Sequence, residues 1–135
     1  MRFDTKIGIV VRSDLAAWQR LNVTAFLASA VAGVDGILGE PYEDGSGNRY
    51  LPMFGQPVLV YEADAEGLAR VHARGLARGA DMAVYIEEMF KTGNDVDNRA
   101  AVRAVDAEGM PLVGLAVHGP RNGIDKMLKG LRLHP

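Results

Sequence analysis

The sequence predicts an α/β fold: three layers, α/β/α, around a mixed, mostly parallel four-stranded sheet. Three observations predict it. Lys6-Ile-Gly-Ile-Val-Val-Arg12 is a short, β-branched, almost uninterrupted apolar run, the pattern of a strand buried on both faces. A long apolar helical stretch follows it through Ser13-Asp14. Further along, short apolar runs bounded by turn residues alternate with helical spacing, which puts helices on both faces of one sheet. At 135 residues, 48% apolar and 24% charged, the chain has the size and composition of one α/β domain over residues 1–135.

The first helix is expected from about Leu15 to Val31–Gly33. Ser13 or Asp14 would cap it, because a short oxygen-bearing side chain satisfies first-turn amides. Its polar positions are few: Gln19, Arg20, Asn22, Thr24 and Ser29. Val23 to Val34 carries no charge, so the helix must be buried on most sides, or pack on the core with one face and on another subunit with the other. It is too short and too rich in Gly and Ala for a membrane span, which needs roughly 20 apolar residues.

Gly36 to Gln56 is a long connection, dense in turn formers and acidic groups at Glu40-Pro-Tyr-Glu-Asp-Gly-Ser-Gly-Asn48. Asp44-Gly-Ser-Gly47 can turn a small hairpin with Tyr50 to Met53 on its return. Pro57 to Glu62 is the second strand. Asp64 or the preceding turn caps the next helix, on which Arg70, Arg74 and Arg78 form a solvated stripe and which Gly79 stops. Asp81 to Ile86 is the third strand, and Glu87 to Lys91 about one helical turn. Asp95 to Val105 is polar, with helical spacing around Arg99 to Val102. Met110 to Val117 is the fourth strand, His118-Gly-Pro120 a turn, and Asn122 to Leu128 a short helix with Asp125 and Lys129 one turn apart. Leu131 to Pro135 is a tail packing through its two leucines.

Composition excludes several chemistries. A net charge of −2 gives no support to nucleic-acid binding, which calls for a basic excess against phosphates. Without cysteine there is no disulfide, thiolate nucleophile or cysteine-held metal. No His-x-x-x-His occurs, and Glu40, Glu43, Asp44 and Asn48 lack the spacing of a calcium loop, so no metal site is expected. Gly33-x-x-Gly36-x-x-Gly39 follows a helix rather than a strand and is no dinucleotide fingerprint; no Gly-x-Ser-x-Gly occurs. No cofactor is implied. Met1-Arg-Phe-Asp-Thr5 has no signal-peptide core, so the cytoplasm is the expected location.

Three pieces together resemble peptidyl-tRNA hydrolase II, the archaeal and eukaryotic type. They are Ile9-Val-Val-Arg-Ser-Asp-Leu15 entering a helix, the Pro57–Glu62 strand with its helix and the Ala83–Ile86 strand, and the ending Gly114-Leu-Ala-Val-His-Gly-Pro120, Ile124-Asp-Lys126 and Gly130-Leu-Arg-Leu133. The resemblance implies that family's fold. Its lysine, glutamine and histidine would fall at Leu21, Ala25 and Ala28, with Arg20 the nearby basic substitute; its aspartate and basic residue would fall near Glu87 and Lys91. The hydrolase's catalytic set is therefore missing. The sequence resembles more closely still a small bacterial family of unknown function that shares this fold.

Candidate binding residues cluster after strands. Arg12, Ser13 and Asp14 follow the first strand, at the edge where open α/β sheets bind ligands and where helix amides attract anions; the plainer alternative is a cap beside a sheet-end charge. Asn22 and Thr24 are polar on an apolar helix; they can line a pocket with Trp18 or, equally, satisfy a buried loop backbone. Glu87 and Lys91 follow the third strand with ion-pair spacing, which a solvated surface pair also explains. His118 follows the fourth strand as a conceivable general base; if that strand is antiparallel it lies at the far edge. His72 and His134 are isolated, with a surface or capping role. The reading is a small-ligand or protein-binding module with the hydrolase fold and lost chemistry. The alternative is a hydrolase of ester-linked or nucleotide-like substrates using Arg20, Glu87, Lys91 and Asp14. Arg49-Tyr-Leu-Pro-Met-Phe54 is apolar again and reads as a flap over the body; with the apolar first helix it exceeds what one small sheet covers, which predicts a homodimer.

Overall fold

The computed structural model describes residues 2–135. Its centre is β1 (Thr5–Arg12), whose Ile7, Ile9, Val10 and Val11 are almost wholly buried. β1 lies between β4 (Val58–Ala63), to which it runs parallel, and β6 (Leu112–Pro120), to which it runs antiparallel. β5 (Asp81–Ile86) adds antiparallel to the outer side of β6, and β7 (Arg132–Leu133) antiparallel to the outer side of β4. The sheet order is β5-β6-β1-β4-β7. The sheet thus has five strands rather than the expected four, and only one of its four pairings is parallel rather than most. Strongly apolar runs such as Leu112–Val117 suggest a parallel sheet, but burial by helices on both faces makes the same pattern in antiparallel strands.

Those two faces carry separate cores. On one, α1 (Ala17–Ala32) lays Val23, Leu27 and Val31 on Ile7, Ile9, Val11, Val113 and Ala116. On the other, α2 (Ala65–Arg78) and α4 (Arg121–Met127) bring Leu68, Val71, Ile124 and Met127 onto Val10, Leu115 and Val117. α2 starts as its sequence dictates: the Asp64 carboxylate accepts the Gly67 amide at 2.8 Å, and Gly79 ends it in the left-handed conformation with φ 63°. α1 starts two residues later than expected. Its cap is Ala16, whose amide donates to the Gln19 side chain, while Ser13 and Asp14 stay in the preceding turn.

α1 approaches β6 closely because Gly114 has no side chain. A Cβ there would meet Val23 at 2.6 Å, Leu27 at 3.0 Å and the Val10 carbonyl at 3.1 Å. Between α1 and β4 the chain extends an arm: β2 (Tyr42–Glu43) and β3 (Arg49–Tyr50) form the hairpin anticipated around Asp44–Gly47. Its base is closed by Gly39 donating to Met53 and Gly55 donating to Ile37, at 2.8 and 2.9 Å. After β5 come a 3-10 turn, Glu87–Lys91, and α3 (Asp95–Arg103), longer than the helical spacing suggested.

Other expectations change. His118 lies inside β6, opposite Ile7 and Asp81, not in a turn. Arg74 is half-buried and donates to the carbonyls of Met127 and Lys129, so the arginine stripe is not wholly solvated. Asp125 pairs with Lys6 at 2.6 Å instead of with Lys129. Leu131 packs on the core, but Leu133 is exposed. Among the described residues no helix is long and apolar enough to cross a membrane.

Two stability predictions follow from this packing. Gly114→Ala should lower unfolding free energy by about 1–3 kcal/mol in urea titration, because α1 must back away from the sheet. His72, expected at the surface, is buried at 7% exposure on α2, and burial pushes its imidazole pKa below the ordinary 6.5. The folded state then holds the ring neutral where the unfolded chain takes up a proton, so this contribution is lost as pH falls through 6.5 and levels off below the depressed value. Unfolding at about pH 7.5 and about pH 5 should show a drop in stability that is smaller in His72→Gln.

Candidate functional site

Three separate recesses receive most of the residues that sequence pattern singles out. The largest, about 830 Å³, runs between α1 and α3 with β5 as its floor. Trp18, Asn22 and Phe26 enter it from α1 because they sit on the helix flank beside the buried Val23, Leu27 and Val31 face. Phe90 enters from the 3-10 turn, Ala83 and Tyr85 from β5, and Asn98, Arg99 and Arg103 from α3. The rings form a chain: Trp18 to Phe90 at 5.8 Å, Phe90 to Tyr85 at 5.2 Å, Tyr85 to Phe26 at 6.0 Å, with tilted or edge-on geometry that suits aromatic quadrupoles.

Polar groups line the same groove. The Tyr85 hydroxyl donates to Asn22 at 3.4 Å, and burial pushes the phenol pKa above its ordinary value, so it stays a neutral donor. Thr92 donates to the Met89 carbonyl at 2.9 Å and contacts the Asn98 amide. Arg99 pairs with Asp95, one turn back on α3. Arg103 forms no ion pair among the described residues. The groove therefore offers flat apolar walls, neutral hydrogen-bonding groups and a basic rim. It holds no nucleophile paired with a base.

The second recess, about 320 Å³, gathers Arg12, Ser13, Asp14 and Glu87 with Asp64 and Ala65. Arg12 is committed there. Its guanidinium donates to Asp14 and Glu87, each at 2.6 Å, and to the Leu112 carbonyl at 3.3 Å. Burial works against its charge, but the hydrogen bonds to Glu87 and Asp14 outweigh that and hold its pKa above the ordinary value. A guanidinium held by two carboxylates is a poor anion trap. It joins the ends of β1 and β6 to the 3-10 turn.

Arg20 lies in none of the three recesses. It donates to the Ser13 and Leu15 carbonyls at 2.8 and 2.9 Å and lies 3.5 Å from His134, which ties the β1–α1 turn to the C-terminal tail. His134 is thus neither isolated nor a cap. Lys91 is exposed and faces Glu88 at 3.6 Å, not Glu87. His118 lines a third recess, about 300 Å³, with Arg78 and Asp81, at the opposite edge of the sheet because β6 is antiparallel. Its Nδ1 is buried without a hydrogen-bond partner. Of the residues singled out, only Trp18 and Asn22 reach the large groove. Phe26, at i+4 from Asn22, is the groove residue that helical spacing could have added; Tyr85, Phe90 and Asn98 meet only through tertiary packing. Among the described residues no group of three or more His, Cys, Asp or Glu side chains is placed to hold a metal.

The charge pattern has a measurable consequence. A double-mutant cycle of Arg12→Ala and Glu87→Gln should give a coupling of about 1 kcal/mol in unfolding free energy, because one partner is mostly buried. Lys91→Ala should change stability by less than about 0.5 kcal/mol.

A search of curated proteins gives no match. Among solved structures, the fold matches that of a protein of unknown function, Atu0240, from Agrobacterium tumefaciens strain C58. Its TM-score is 0.95 and its sequence identity 46%, over 99% of this chain and 100% of that one. Residues 5–135 match the model of a family described as a protein of unknown function, DUF2000. With nearly the whole chain matched, the protein belongs to the DUF2000 family.

Proposed function

We propose that this chain is a bacterial cytoplasmic binding module on a peptidyl-tRNA hydrolase II-like scaffold whose hydrolytic chemistry has been lost. Its site is the aromatic groove between α1 and α3. The single observation that carries this reading is the groove itself: Trp18, Phe90, Tyr85 and Phe26 in one ring chain, with the Asn22 and Asn98 amides along it and Arg103 at its rim. Such a surface suits a flat apolar ligand with a polar or anionic edge.

The division of the charged residues argues against the hydrolase alternative. An enzyme using Arg20, Glu87, Lys91 and Asp14 needs them around one reacting bond. Here Asp14 and Glu87 are bound to Arg12, Arg20 to backbone carbonyls, and Lys91 projects from the surface beside Glu88. Asn22 opens into a different recess from Arg12.

Trp18 is the only tryptophan, so its fluorescence reports on the groove directly. Titration with indole-3-acetate, benzoate and adenosine is expected to give a saturable change with at least one of them. Asn22→Ala or Arg103→Ala should then weaken that binding about tenfold, the loss of roughly one hydrogen bond or charge contact. No saturable change and no thermal shift with any of the three, up to about millimolar concentration, would count against the groove as a ligand site.

A further inference from the structure

We propose that a second copy of this chain completes the groove: the hairpin arm of each protomer lies over the open side of its partner's groove. This rests on the groove being the binding site, and it adds who closes it.

The arm is the first observation. Every residue from 40 to 51 is exposed, and among them Leu51, at 86% exposure, Tyr42 and Tyr50 present large apolar surface to water. The arm is nevertheless built to hold one shape. One Asp44 oxygen accepts the amides of Ser46 and Asn48, both at 2.9 Å; the other accepts the Asn48 side chain at 3.0 Å and the Tyr50 hydroxyl at 2.8 Å. The hydrogen bonds from Asn48 and Tyr50 pull the Asp44 pKa down to about 2. An ordered segment presenting aromatic and aliphatic side chains to water has the form of a contact surface.

The groove is the complementary surface. Trp18 is 61% exposed and Phe26 52%, so its outer side is unsealed. The arm cannot seal its own groove. It enters and leaves between α1 and β4, whereas the groove lies over β5, and β1 and β6 stand between those strands. Two copies facing each other across the outward side of α1, with a two-fold axis running along that helix, carry each arm across to the other's groove. That outward side bears exposed Leu21 and Ala25 and no charge. Charge also matches in net sign. The arm carries Glu40, Glu43 and Asp44 against Arg49, which stands opposite Glu43 in the hairpin, and the groove carries Arg99 and Arg103 against Asp95. Glu40, Glu43 and Arg103 form no ion pair among the described residues. Both halves of the contact belong to one chain, so a second copy is the partner that satisfies both at once.

The test is charge exchange read by mass. In sedimentation equilibrium the wild type should behave as a dimer of the 14.5 kDa chain. Glu43→Arg and Arg103→Glu should each weaken dimerisation about tenfold or more. An equimolar mixture of the two variants should regain wild-type association, because each arm then faces a groove of opposite charge. Circular dichroism melting confirms that both variants fold. A monomeric wild type at all concentrations, or a dimer indifferent to both reversals, or a mixture no stronger than its components, would each overturn the proposal. Trp18 fluorescence is a separate readout, so ligand binding without dimerisation, or dimerisation without ligand binding, tells the two readings apart.

Discussion

β1 is covered on every side, and the rest of the chain is arranged by what covers it. Its backbone pairs with β4 on one side and β6 on the other, and its side chains enter two different cores. Ile7, Ile9 and Val11 face α1, while Val10 faces α2 and α4. Strand geometry alternates the faces, so a one-residue slip of register would exchange the two cores. Gly114 adds a second condition on the same spot: α1 reaches the sheet only where β6 presents no side chain. The position of α1, and with it the angle at which Trp18, Asn22 and Phe26 enter the groove, is set by these contacts.

That arrangement also decides what the charged residues do. The ends of β1 and β4 and the start of the 3-10 turn bring Arg12, Asp14, Asp64 and Glu87 together, the place where an α/β sheet ordinarily offers a ligand site. Here the positive charge is consumed locally by two carboxylates and a carbonyl. The groove beside it leaves Trp18 and Phe26 more than half exposed, while its Asn22 and Asn98 amides contact Tyr85 and Thr92. The polar cluster holds the sheet end together, and the aromatic groove opens outward.

Much of the framework is legible in the sequence because it rests on local rules. Asp64 and Gly79 delimit α2, Asp44 to Gly47 turns the arm, and the apolar run at Ile7–Val11 marks the central strand. Strand direction is not legible, because Leu112–Val117 has the same composition whichever way it runs; the antiparallel course of β6 is what sends His118 to the far edge. The fifth strand is two residues long, and nothing in Arg132-Leu133 distinguishes it from a packed tail. Burial of His72 depends on what α2 faces. The site was half legible. Trp18 and Asn22 could be read as polar and aromatic features of an apolar helix, but Tyr85, Phe90 and Asn98 join them from three other elements.

The two edges of the sheet complete the physical picture. At β4 the tail closes the edge: β7 pairs with Tyr61 and Glu62, the His134 amide donates to the Val60 carbonyl at 2.9 Å, and Arg132 pairs with the buried Glu62 carboxylate at 2.5 Å. A short, charged closing strand is how sheets discourage unwanted pairing. At β5 no such strand is added among the described residues; the uncharged run Met82-Ala-Val-Tyr85 pairs only inward, with β6. An apolar edge invites association unless something lies along it. The aromatic groove lies along it, with α1 and α3 as its walls. The edge that would otherwise be a liability is thus the floor of the aromatic groove, with α1 and α3 standing over it.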